Sequence, residues 1–136
     1  MLIVVDPHSG VPVYRQLIDQ IKFHIASGML KAGDELPSTR ALSAELGVNP
    51  MTVSKAYSYL ELENVLERRP GKPLVVRRFE EEELRRSRQE QLRRSLSRAV
   101  TVVRQLGITQ EKAIEIFEEM LKEPDIDQAD DTQEVE

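Results

Sequence analysis

Two helical patterns separated by a three-residue break constrain this chain more tightly than any other feature. Leu36-Pro37-Ser38 leads into a stretch where Ala41, Leu42 and Leu46 share one face, and Ser38 stands where a hydroxyl accepts from the open N–H groups of a first helical turn. Gly47 ends that stretch, because glycine takes positive φ without steric cost. Asn49 caps a second pattern, Pro50 sits where a missing N–H is harmless, and Val53, Ala56 or Tyr57, and Leu60 repeat at helical spacing. Two short helices joined by so tight a turn make a helix-turn-helix.

The flanks complete a small domain around it. Leu2–Val5 is β-rich and reads as an edge strand or an arm, followed by a turn segment from Asp6 to Pro12. Val13–Ser27 places Tyr14, Leu17, Ile18, Ile21 and Ile25 on one stripe, an amphipathic helix stopped by Gly28 whose apolar face should roof the helix-turn-helix. Gly33-Asp34 makes a turn and Glu35-Leu36 a short strand. Past Asn64, a left-handed helix stop, Val65–Arg69 and Leu74–Arg77 flank Pro70-Gly71-Lys72-Pro73, and two strands joined by such a loop beside a helix-turn-helix make a wing, its tip at about 69–74.

Composition changes at Phe79. Glu80–Glu83 open a long helix favourably against its dipole, and Leu92, Leu96, Ala99, Val103 and Leu106 step alternately by four and three residues along it. Arg85, Arg86, Arg88, Arg93, Arg94 and Arg98 occupy its other faces, read as solvated with partners such as Glu81–Arg85 and Glu90–Arg94. Gly107 closes it, Thr109 caps the next helix, and Ile114, Phe117 and Leu121 continue an apolar stripe as far as Pro124. Two such helices expose too much apolar surface to stand alone. Burial against the same pair from a second chain, through Leu92, Leu96, Ala99, Val103, Leu106, Ile114, Phe117 and Leu121, predicts a homodimer. The expected fold is mainly α with a small β wing: a winged helix-turn-helix over 1–78, a two-helix dimerisation appendage over 79–123, and a disordered acidic tail over 124–136.

The net charge of −5 does not exclude nucleic acid, because it is unevenly placed. Residues 1–78 hold ten basic against eight acidic side chains, residues 79–123 nine against ten, and residues 124–136 none against six. Counterion release depends on the cations at the binding face, and the acidity belongs to the tail. The absence of Cys removes disulfides and thiolate metal sites, and His8 and His24 lack ligand spacing, so neither a metal nor a cofactor is expected. No Gly-rich phosphate loop or nucleophile–base grouping suggests an enzyme. No apolar run approaches bilayer length, which points to a cytoplasmic chain without membrane contact.

Leu36-Pro37-Ser38-x-Arg40-x-Leu42, Leu46-Gly47-Val48-Asn49, Thr52-Val53 and Ala56-Tyr57-x-x-Leu60-Glu61 resemble the DNA-binding half of the GntR family of bacterial transcription regulators. Asp6-Pro7, Pro12-Val13-Tyr14, Gly28-Met29-Leu30 and Val48-Asn49-Pro50 are similar, more narrowly, to its YtrA subfamily. Read from the residues, a recognition helix over about 50–63 turns Met51, Thr52, Ser54, Lys55 and Ser58 toward double-stranded DNA, with Asn49 and Pro50 close to the backbone. For Thr52 the alternative is a hydroxyl bonded to its own helix backbone, and Tyr57 and Tyr59 read as packing residues. The resemblance adds Arg40 from the preceding helix and Gly71 and Lys72 from the wing, where Arg68 and Arg69 supply further charge. The candidate contact set is Ser38, Arg40, Asn49, Pro50, Met51, Thr52, Ser54, Lys55, Arg69, Gly71 and Lys72. The wing departs from the family's usual Gly-x-Gly-Thr-aromatic-Val at Pro73-Leu74-Val75. The leading expectation is a homodimeric repressor that reads a palindromic operator, with room for a small-molecule effector between the helical pairs. The alternative is a protein-docking adaptor that uses the winged domain and the last helices without specific DNA binding.

Overall fold

The computed structural model describes residues 2–124. In chain order the elements are α1 Val13–Ser27, α2 Thr39–Leu46, α3 Pro50–Leu62, β1 Leu66–Glu67, β2 Val75–Val76, α4 Glu81–Leu106 and α5 Gln110–Lys122. The fold is a winged helix-turn-helix followed by helices, and the chain divides into two compact units between Leu92 and Arg93. The acidic segment expected to be disordered lies, from residue 125 onward, outside the described residues.

The first unit is built on α1 crossing α3. Leu17, Ile18 and Ile21 of α1 and Val53, Ala56 and Leu60 of α3 are fully shielded from water, joined by Leu42 of α2 and by Leu66 and Val76 of the wing. The caps anticipated from sequence are formed: Ser38 Oγ accepts from the Ala41 N–H at 3.0 Å, and Asn49 Oδ1 from the Met51 N–H at 2.7 Å. Gly47 takes the left-handed conformation at φ 68°, and Asn64, at φ 61°, turns the chain out of α3. One expected core position differs. Ala41 is exposed and Ser43 is buried in its stead, its hydroxyl donating to the Arg40 carbonyl at 3.0 Å, so a polar residue occupies the inner face at no hydrogen-bond cost.

β1 and β2 pair antiparallel with Leu66 opposite Val76 and Glu67 opposite Val75. Glu35 bridges Val75, and Leu36 N–H donates to the Leu74 carbonyl at 2.8 Å, so the segment expected as a short strand before α2 makes a single bridge on the other side of β2 and no strand. Leu74, Val75 and Val76 are consequently all buried. Arg77 ties the wing to the start of α4: it donates to the Asn64 carbonyl and to Glu83, and its guanidinium lies 4.1 Å from the Phe79 ring centroid. Its hydrogen bond, helped by the Glu80 N–H, holds the Glu83 carboxyl below the usual carboxylate range.

Among the described residues of the amino terminus no strand forms. Residues 2–6 run as an arm along α1, held by side chains: Gln20 donates to the Val4 carbonyl at 2.6 Å and accepts from its N–H at 2.9 Å, and Gln16 does the same for Asp6 at 2.7 and 2.8 Å. Four helical residues rise about 6 Å and two extended residues about 6.7 Å, which is why glutamines one turn apart meet alternate residues of the arm. Ile3 thereby enters the core, and His24 Nε2, 2.7 Å from the Leu2 carbonyl, carries the proton for that bond.

In the second unit α4 continues to Leu106, Gly107 breaks it, and Thr109 Oγ1 caps α5 by accepting from the Lys112 N–H at 3.2 Å. No residue of α4 or α5 is buried. Leu92, Ala99, Leu106, Ile114, Phe117 and Leu121 are exposed, Leu96 and Val103 half-buried, and the facing sides line an apolar groove of about 890 Å³. At the start of α4, within the first unit, Arg85 and Arg86 both pair with Glu82, at 2.6 and 3.7 Å, so the expected Glu81–Arg85 pairing is replaced by its neighbour one residue along.

Leu60→Ala, a truncation at the centre of the α1–α3 contact, should lower unfolding stability by about 2–5 kcal/mol in urea titration. Ala41→Gln, on the exposed face of α2, should stay within about 0.5 kcal/mol of the wild type.

Candidate nucleic-acid interface

Burial of one side of α3 decides what its other side presents. Val53, Ala56, Tyr57 and Leu60 face the core, which leaves Met51 (74% exposed), Lys55 and Ser58 in water and Thr52 and Ser54 half-buried at the margin. Among the described residues the Thr52 hydroxyl makes no hydrogen bond, so it is not spent on the helix backbone. The start of α3, from Asn49 through Pro50, is exposed as well.

Tyr57 fixes this helix relative to its neighbour. Its hydroxyl donates to the Pro37 carbonyl at 2.8 Å, at the entrance to α2, and burial, followed by the nearby Glu45 carboxylate, pushes its phenol well above the ordinary value. Around that bond Ser38 and Thr39 of α2, Ser54 and Ser58 of α3, and Arg68, Lys72 and Pro73 of the wing line a cleft of about 270 Å³. Three separate segments therefore offer hydroxyl and cationic groups to one concavity.

The structure brings Ser38, Ser54 and Lys72 together in this cleft, while Arg40, Asn49, Pro50, Met51, Lys55, Arg69 and Gly71 lie exposed outside its lining. The wing cations differ in their freedom. Arg68 is drawn back onto α3 by Glu61, with contacts of 3.4 and 3.2 Å, and Arg69 stands 3.9 Å from Glu67. Among the described residues neither Arg40 nor Lys72 has an ion-pair partner, which leaves their charge available to an incoming anion. Gly71, at φ 69°, shapes the loop tip, and Lys72 N–H closes it by donating to the Arg69 carbonyl at 3.1 Å.

Two features at this surface escaped the sequence. Thr39 lines the cleft because α2 presents its first residue there, which the apolar pattern of α2 does not encode. Tyr14, assigned to a buried stripe, comes from the first turn of α1 to stand under the Lys55 ammonium, and Arg15 approaches the same ring. Only the crossing of α1 over α3 creates that neighbourhood.

A family model described as bacterial regulatory proteins, gntR family, matches residues 13–76. The HTH-type transcriptional repressor YtrA of Bacillus subtilis is 45% identical over 71 residues, spanning 52% of this chain and about half, 55%, of that repressor. Among solved structures, a transcriptional regulator from Oenococcus oeni is 33% identical with a TM-score of 0.66, covering 89% of this chain and 97% of the other. YtrA from Sulfolobus acidocaldarius, a GntR-family transcription factor, is 34% identical with a TM-score of 0.54, covering 88% and 96%. All three relatives are transcription regulators by name, not enzymes. No helix of the described residues is long and apolar enough to cross a membrane.

Tyr57→Phe should cost about 1 kcal/mol at neutral pH, since the Pro37 carbonyl loses its donor. In the wild type the folded phenol holds its proton more tightly than the unfolded one, so stability is complete below about pH 10 and falls as pH rises above it. Alkaline urea titrations should show that fall in the wild type and its reduction in the Phe variant.

Proposed function

Since the chain belongs to the GntR family of bacterial DNA-binding transcription regulators, and is YtrA-like within it, we propose that it acts as a homodimeric repressor of a palindromic operator. Residues 1–78 form the DNA-binding head in this reading and residues 79–123 the dimerisation part. The observation that carries it is the outward polar face of α3, lying beside a cleft that α2 and the wing supply with hydroxyls and cations. A recognition helix works by presenting its first turns to the major groove, where each base pair offers a distinct set of donors, acceptors and methyl groups. Met51, Thr52, Ser54 and Lys55 have that position, Met51 being suited to a thymine methyl. Asn49 and Pro50 approach the backbone, and Arg40 and Ser38 reach phosphates from α2. Arg69, Gly71 and Lys72 bring the loop between β1 and β2 to the adjacent minor groove, whose potential favours a basic side chain.

Dimerisation is supported by the lack of any buried residue in α4 and α5. An apolar stripe from Leu92 to Leu121 gains burial most economically from its own copy, and a two-fold protein reads a two-fold site. Occupancy of such an operator would block a promoter in the bacterial cytoplasm. A small effector would sit between the two helical pairs, where its binding would alter how two heads are presented.

Footprinting on DNA upstream of the chain's own gene should show a protected, roughly palindromic segment at low salt, lost on combining Arg40→Ala with Lys55→Met. Phe117→Glu should turn a dimer into a monomer in sedimentation at micromolar concentration and reduce operator affinity on the order of 10²-fold, the loss expected when two linked contacts become independent. A wild type that is monomeric and protects nothing would favour the docking-adaptor reading.

A further inference from the structure

The first turn of α1 lies outside the helix-turn-helix, yet it carries an aromatic device aimed at α3. Tyr14 of α1 and Tyr59 of α3 stack with ring centroids 5.7 Å apart and planes 19° from parallel. Lys55 precedes Tyr59 by one helical turn, and its Nζ rests 3.9 Å from the Tyr14 centroid, on the negative face of the ring. The Arg15 guanidinium approaches the same pair, 5.6 Å from the Tyr14 centroid and 6.0 Å from that of Tyr59. Lys55 remains exposed while Tyr14 is half-buried, so the ring is fixed by the fold and the ammonium is held at the surface.

We propose that Tyr14 is a positioning residue for DNA binding: its ring holds the Lys55 ammonium where, with the Arg15 guanidinium near the same aromatic pair, it receives a phosphate of the duplex. The inference rests on the DNA-binding reading above. A lysine alone loses its rotamer freedom when it meets an anion, whereas one already docked on a ring has lost most of it before the encounter. The ring covers one side of the ammonium, and the remaining N–H groups point away from it. A phosphate suits this arrangement because an ammonium acts as a point charge and the guanidinium as a fork, neither of which needs a particular base. The DNA-facing rim accordingly extends from α3 and the wing to the start of α1.

A double-mutant cycle tests this on a duplex that the wild-type full chain enriches from a random-sequence pool. Tyr14→Leu should weaken binding about three- to five-fold, the upper range of one surface cation–π contact, while Tyr14→Phe, which keeps the ring face, stays within about two-fold of the wild type. In the Lys55→Met background, Tyr14→Leu should add less than about two-fold, because the two residues act as one unit. Lys55→Met alone should lower the slope of log affinity against log salt by about 0.9, one phosphate contact. In the protein without DNA, the Lys55 ε-methylene protons should resonate upfield of ordinary lysine in the wild type and in Tyr14→Phe, a ring-current signature that is read even if Tyr14→Leu fails to fold. Additive losses in the cycle, a Phe variant as weak as the Leu variant, or an unshifted Lys55 would overturn the assignment. Failure of the wild type to enrich any duplex is a separate result, which removes the DNA-binding reading and this inference with it.

Discussion

The apolar seam between α1 and α3 is the contact on which the rest of the first unit depends. Leu17, Ile18 and Ile21 press on Val53, Ala56 and Leu60 with no exposed surface remaining on either side, and this contact, joined by Leu42 of α2 and Leu66 of the wing, sets how α3 is rotated about its axis. Rotation is what matters for a helix that must show one face to a ligand. A turn of 100° per residue means that a slip by a single position would replace Thr52 and Lys55 by buried apolar side chains at the surface. The Tyr57 hydroxyl on the Pro37 carbonyl then fixes α2 against the rotated helix, and the wing closes the remaining flank through Leu66 and Val76.

Much of this was legible in the order of residues, for reasons that are local. Ser38, Gly47, Asn49 and Pro50 act on backbone groups within one turn of themselves, so their roles follow from position alone. The buried face of α3 follows from helical periodicity. What escaped depends on segments distant in the chain. The exchange of Ala41 for Ser43 at the inner face of α2 follows from the direction in which α3 and the wing approach, which the α2 pattern, with small residues on both sides, does not specify. The β-rich look of Leu2–Val5 signalled an edge strand or an arm, and it is an arm, whose partner is a pair of glutamines on a helix. The lysine on the Tyr14 ring is another case, since the two residues are neighbours only once α1 crosses α3.

The last two helices have a different physical character. Thr109 caps α5, ion pairs lie along both helices, and α4 opens with Glu81, Glu82 and Glu83 in its first turn, yet no side chain in α4 or α5 is fully withdrawn from water. Helices of this kind draw little stability from propensity alone. Their apolar stripes are a statement about association, and the first unit, with its own core of α1, α2, α3 and the wing, carries no comparable demand. The two halves of the chain thus spend their apolar residues in opposite ways, one on closing a core and the other on a surface left open.

The glutamine pair on α1 has a consequence of its own. By grasping the arm at Val4 and Asp6, Gln16 and Gln20 let a helix take the place of a neighbouring strand, supplying both a donor and an acceptor at each step from side chains. The pitch of α1 thereby acts as a ruler for the amino-terminal segment. A deletion between the two grasped residues would strand one amide and swing Ile3 away from the interior, so the permissible length of that segment is written in the geometry of the helix it lies on and owes little to its own composition.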